Sequence, residues 1–234
     1  MDELPTNLIS DIPWLVVIAV LFFFTILIPI FVKLRAVWLH AHRNDIIQNY
    51  EFPGRIKQKL QETYPHLSAS DTEIVISGLK DYFQLCHLAN KRLVAMPSQV
   101  VDVAWHEFIL FTRQYEQFCK QALGRFLHHT PAEAMREPQK AQQGIRRAWR
   151  ISCYLNEIDP EEPENLPLLF DIDRKLSIPD GFTYYANCKD KDGYVYCAGH
   201  IGCSTGCHGG SGRHDESSDN DSSSSCGGGG CGGD

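Results

Sequence analysis

The feature that most restricts this chain is an apolar run over residues 13–32, interrupted only by Thr25. A helix rises about 1.5 Å per residue, so the run reaches across a hydrocarbon core of about 30 Å. It has no polar face to show to water, which argues against a helix buried at the edge of a soluble domain. A cleavable signal peptide would want a basic start, a shorter apolar region and small residues at a cleavage site. The start is acidic instead, with Asp2, Glu3 and Asp11, and no small-residue site follows. Trp14 and Trp38 flank the run, where interfacial aromatics sit. The sequence therefore predicts a single transmembrane helix over residues 13–35, with Pro29 as a kink that membrane helices tolerate.

Lys33, Arg35 and Arg43 follow the run, and no lysine or arginine precedes it. The positive-inside bias then places residues 1–12 outside the cell membrane and the rest of the chain in the cytoplasm, as a single-pass protein. The 234 residues leave room for one domain of ordinary size plus extensions. A net charge of −7, much of it in the tail, gives no basic footprint and so no nucleic-acid partner. The partners implied are the membrane itself and other membrane or cytoplasmic proteins. Nine cysteines in a reducing compartment read as metal ligands or idle thiols before they read as disulfides.

Past the anchor the pattern is helical. Pro53-Gly54 ends the first helix, and Ile56, Leu60 and Tyr64 line a short amphipathic one. Residues 68–71 offer N-caps for a helix whose apolar face carries Ile74, Leu79, Tyr82, Phe83 and Cys86. A further helix is expected from Pro131 to about Glu157, perturbed at Pro138, and a short one over residues 168–176. Mainly α architecture follows: a helical bundle over residues 36–178, a small Cys/His-rich β-hairpin module over 179–208, and a disordered Gly/Ser tail over 209–234. The hairpin expectation rests on alternation over 182–186 and 194–196 about the turn dipeptide Asp192-Gly193.

The densest stretch lies between Met96 and Pro131. Ser98 is placed to cap a helix, and Trp105, Phe108, Ile109, Thr112, Tyr115 and Cys119 recur at helical spacing along one face. Asp102 and His106 stand one turn apart. Gly124 supplies the stop, and the paired His128 and His129 follow. Thr130-Pro131-Ala132-Glu133 has the form of a capping box for the next helix. This run, PSQVVDVAWHEFILFTRQYEQFC with GRFLHH beyond it, resembles the signature of the glycine-rich-domain-protein-like family of bacteria and plants. The resembling positions are Pro97, Ser98, Asp102, Trp105, His106, Ile109, Leu110, Thr112, Tyr115, Phe118, Cys119, Gly124 and His128 or His129. Many relatives carry a second histidine two after the first, where this chain has Phe108. The resemblance implies no particular reaction.

Two groups can carry chemistry. Cys188, Cys197, Cys203 and Cys207, with His200 and His208 as substitutes, offer the four soft or borderline ligands that zinc takes in a tetrahedron. Their spacing departs from a paired C-x-x-C ribbon, and the alternative is a tail whose thiols bind nothing. Asp102, His106, His128 and His129 form the second group, in which a carboxylate one turn before an imidazole can orient it for a metal. The other reading of that group is a buried network that braces the helical hairpin, and the sequence favours it because no HExxH or comparable spacing is present. Cys119 reads as a small core residue and the Trp105 to Tyr115 stripe as core. With no nucleophile–base pair, phosphate loop or cofactor fingerprint, the sequence points first to a membrane-anchored interaction or scaffold protein with a zinc-binding C-terminal module. The alternative is a metal-dependent enzyme or metal or redox sensor built on Asp102, His106 and His128.

Overall fold

Helix α1 runs from Trp14 to Gln48 in a computed structural model that describes residues 14–129, 138–186 and 196–197. It is the one helix among the described residues long and apolar enough to cross a membrane, and none of its apolar window is buried. At about 1.5 Å per residue its 35 residues span about 52 Å, well beyond a bilayer core. The C-terminal end therefore projects past the apolar part, and Ile47 is its one fully buried residue. Pro29 has no N–H to give the Thr25 carbonyl, and the helix widens into a π turn over Phe23–Leu27 just before it. The expected disturbance at the proline thus takes the form of a local change in hydrogen-bond register.

The body packs around α3 (Ala69–Leu88). Ser68 starts α3 with a capping box: its side chain accepts from the Asp71 amide at 3.2 Å, and Asp71 Oδ2 accepts from the Ser68 amide at 2.9 Å. Around α3 lie α2 (Gly54–Thr63), α4 (Gln99–Leu110), α6 (Pro138–Leu155), α7 (Leu168–Lys175) and the last turns of α1. The core between them is aromatic. Phe83, Phe108 and Phe118 are fully buried, with Phe83 and Phe118 4.7 Å apart and Phe52 and Phe108 5.0 Å apart, mostly edge to face. Where α1 leaves its apolar stretch it is pinned to α3 by an imidazole pair, His40 Nδ1 to His87 Nε2 at 2.7 Å.

Two expectations are corrected here. The long signature helix is two helices: α4 ends at Phe111, whose ψ of 59° leaves the helical region, and α5 (Thr112–Phe118) resumes before a π turn over Cys119–Leu123. Periodicity carries across such a break because Trp105, Phe108, Tyr115 and Phe118 are all buried, whereas Thr112 is exposed. The stop at Gly124 is as expected, at φ +68°. The second correction concerns the β-hairpin. Strands β1 (Tyr184–Tyr185) and β2 (Tyr196–Cys197) pair in parallel, Tyr184 against Tyr196 and Tyr185 against Cys197. A hairpin turn reverses the chain and makes antiparallel partners, so the parallel pairing of β1 and β2 is not the expected hairpin, and Asp192-Gly193 lies outside the described residues. Tyr184 is instead part of the helical core, buried with its ring 5.0 Å from Phe170. The described residues all fall in the first of two units, Met1–Ser204. The expected capping box over residues 130–133 and the Gly/Ser tail over 209–234 lie outside the described residues.

Candidate metal centre and its cleft

The start of α4 is fixed by a residue far away in sequence. Asp173, on α7 and almost fully buried, accepts from Ser98 Oγ at 2.7 Å, the Gln99 amide at 2.7 Å and the Val100 amide at 3.2 Å. A carboxylate at a helix N-terminus satisfies orphan amides and meets the positive end of the helix dipole. Ser98 completes the cap by accepting from the Val101 amide at 3.2 Å. Asp173 also takes the Phe182 amide at 2.9 Å, tying the segment after α7 to the same point. Gly181 is required there, because a Cβ would lie 2.7 Å from the Asp173 Cβ.

One turn along, α4 presents Asp102. Its carboxylate is shared between two imidazoles: His129 Nε2 stands 3.1 Å from Oδ1 and His106 Nδ1 stands 3.2 Å from Oδ2. The imidazole rings lie 4.0 Å apart. One ligand-capable atom from each of the three residues falls within 4.8 Å of the other two. Neighbouring ligands of a tetrahedral ion bound at about 2.0–2.1 Å are about 3.3 Å apart, close to the spacings between Asp102 and each histidine. His106 has two tautomers with different uses. With Nδ1 protonated it donates to the Asp102 carbonyl, 2.9 Å away, and with Nε2 protonated its Nδ1 lone pair converges with Asp102 and His129. The three residues therefore form a group that can hold a metal ion.

His129 reaches this point because its loop is tied down from below. Trp105 Nε1 donates to Tyr115 Oη at 3.1 Å, and Tyr115 Oη donates to the Leu127 carbonyl at 2.6 Å. The relay is buried, and it anchors the chain two residues before His129. Trp105 then meets the His129 ring edge to face, centroids 4.6 Å apart. The aromatic stripe is core, as expected, and it also positions His129. Burial pushes the Tyr115 hydroxyl pKa far up, so it stays a donor.

Of the residues singled out in the sequence, Asp102, His106 and His129 come together and His128 does not. His128 turns outward, with its ring 4.8 Å from Phe126. His106 is paired with Asp102 as expected, but its side chain is 52 % exposed, so the pair is not the buried network expected. Cys119 is fully buried and burial raises its thiol pKa, which fits the core reading. Burial likewise pushes the Cys86 and Cys153 thiols up to about 12. Cys188, Cys203, Cys207, His200 and His208 lie outside the described residues, and Cys197 is described only through its backbone in β2. The Cys/His group thus gains no support, and the metal-competent group stands on α4 and the loop after α5. Sequence reasoning missed Asp173, although there was a signal: it sits in register with the apolar Leu169, Phe170, Ile172 and Leu176.

The triad lies at one side of a cleft of about 540 Å³. Its apolar wall includes Val94, Met96 and Leu127, and Lys91, Arg92 and Arg125 also line it. Asp102 is the single carboxylate on its lining.

The family model described as UCP032817-like matches residues 42–201, and the chain belongs to that uncharacterised family. This overturns the resemblance to the glycine-rich-domain-protein-like family. That resemblance rested on a short run of residues between Pro97 and His129, whereas the match takes in residues 42–201. No curated protein and no solved structure matches the chain.

Proposed function

We propose that this member of the UCP032817-like family is a membrane-anchored protein that holds a divalent first-row metal at Asp102, His106 and His129. The convergence of one carboxylate and two imidazoles beside a cleft carries this reading. Two nitrogens and an oxygen suit zinc, the first candidate, and the same donor set is used for non-haem ferrous iron. Three protein ligands leave open positions for water or a ligand, as catalytic rather than structural sites do. The cleft supplies space for that ligand within the 300–1,000 Å³ usual for small-molecule sites, at about 540 Å³. The chemistry open to the site is that of a metal-polarised group or metal-activated water. A scaffolding role at the membrane stands if the metal test fails.

The anchor is the apolar part of α1, which nothing in the body covers. Lys33, Arg35 and Arg43 on its C-terminal side favour a cytoplasmic body. The experiment is elemental analysis and Zn²⁺ titration of the full chain in neutral detergent. One equivalent should bind, and His129→Ala and Asp102→Asn should each abolish it while the helical content is unchanged. A parent protein that takes up no zinc, iron or manganese, or variants that bind as the parent does, would refute the site.

A further inference from the structure

The cleft's charge is not explained by the metal reading. Lys91, Arg92 and Arg125 line it, and no carboxylate partner for any of them is found among the described residues. Among the described residues Arg92 and Arg125 donate to backbone carbonyls, Ala89 at 3.4 Å and Asn90 at 2.6 and 3.0 Å. Arg147 lies beside this group: it donates to the Leu93 carbonyl, and burial and then the Arg92 charge disfavour its own charge. Clustered guanidinium groups without counter-carboxylates repel one another unless an anion sits among them. The one carboxylate on the lining, Asp102, is already shared by two imidazoles.

We propose that the cleft binds the phosphate of a phosphoester, with Lys91, Arg92 and Arg125 around its oxygens and the ion at Asp102, His106 and His129 facing the same ligand. The proposal rests on the metal reading for its inner end only. Guanidinium forks and a lysine point charge match a tetrahedral oxyanion with several acceptor oxygens. Val94, Met96 and Leu127 supply an apolar wall for the organic part.

The position of the cleft bears on where the phosphate comes from. Lys91 follows His87 by one turn's worth of residues, and His87 is bonded to His40 on α1. Arg43, on the same helix, lies against Gly124, the neighbour of Arg125. Along α1, Arg43 is eight residues beyond Arg35, about 12 Å further from the apolar stretch. A lipid headgroup and a water-soluble phosphoester share the recognised chemistry.

The test uses the full chain in phosphatidylcholine nanodiscs loaded with Zn²⁺. Inorganic phosphate and glycerol 3-phosphate are titrated by calorimetry, and a parallel set of discs carries phosphatidic acid, with binding read from tryptophan fluorescence. Saturable binding in either arm is expected, the soluble arm indicating a free phosphoester and the lipid arm alone a headgroup. Lys91→Gln/Arg92→Gln, both exposed positions, should weaken it by at least about tenfold while zinc content and helicity hold. Arg125→Gln should do the same. Zinc-loaded protein that binds no phosphate in any arm overturns the proposal, as does undiminished affinity in Lys91→Gln/Arg92→Gln. If zinc itself is not retained, the metal reading fails separately. Phosphate binding by metal-free protein that depends on Lys91 and Arg92 would then sustain the cleft, and its absence would overturn it.

Discussion

Asp173→Ala is the substitution with the largest consequence that can be worked from the structure. The carboxylate accepts from four donors: Ser98 Oγ, the Gln99 and Val100 amides, and the Phe182 amide. Alanine removes every acceptor the carboxylate supplies. Ser98 and Val100 are buried, so water cannot replace their partner, and each orphaned donor costs about 1–3 kcal/mol. Gln99 is partly buried and Phe182 exposed, so water recovers much of their loss. The negative charge at the head of α4 contributes a further ~0.5–1 kcal/mol through the helix dipole. Against these stands the relief of desolvating a carboxylate, which offsets part of the sum. The net expectation is a loss of about 3–4 kcal/mol, in line with breaking other buried charged networks. Asp173→Asn should be only slightly milder, since its amide nitrogen would face one or two of the same N–H donors. Urea unfolding of the full chain in detergent, followed through the buried Trp105 and Trp149, measures the difference. A loss below about 1 kcal/mol for Asp173→Ala would refute the claim that this carboxylate holds the start of α4.

His106→Ala should change stability by less than about 1 kcal/mol, because the ring is half exposed, yet remove zinc binding; unfolding and titration on one preparation separate the two. Tyr115→Phe leaves Trp105 Nε1 and the Leu127 carbonyl without their buried partner, so it should cost about 1–3 kcal/mol and weaken zinc binding by releasing the loop that carries His129. His87 is held down to about 4 by burial first, then by His40 and Arg43. The unfolded chain therefore binds the extra proton between pH 6.5 and 4, and the stability from this group is present above pH 6.5 and lost as pH falls toward 4. His87→Leu should erase about 3 kcal/mol of acid sensitivity relative to the parent across that window. The comparison must be between the two proteins, since burial pushes the Asp81 carboxyl up to about 6 and works in the opposite direction. Gly124→Ala forces a φ of +68° on a side chain and drives its Cβ into the Arg43 guanidinium, so a loss of about 1–2 kcal/mol is expected from the unfolding midpoint.

Local rules were enough for much of this molecule. A long apolar run without a polar face predicts a helix, and α1 is a helix long and apolar enough to cross a membrane. The capping serines Ser68 and Ser98 and the stop at Gly124 act within a few residues of themselves and were legible in the sequence, whereas Pro53-Gly54 begins α2 and α1 ends earlier, at Gln48. The spacing of Asp102 and His106 likewise placed two candidate ligands one turn apart. The choice between His128 and His129 was beyond local reasoning, because adjacent residues in a loop point to different sides and only the Trp105–Tyr115–Leu127 relay says which side faces Asp102. The break at Phe111 hid inside an unbroken apolar rhythm. Asp173 reaches the start of α4 across 75 positions of sequence, and the basic cleft gathers residues from the end of α3 and the end of α5. Periodicity reports which face of an element is apolar; which elements meet, and so which polar atoms converge at a site, is decided only when those faces pack.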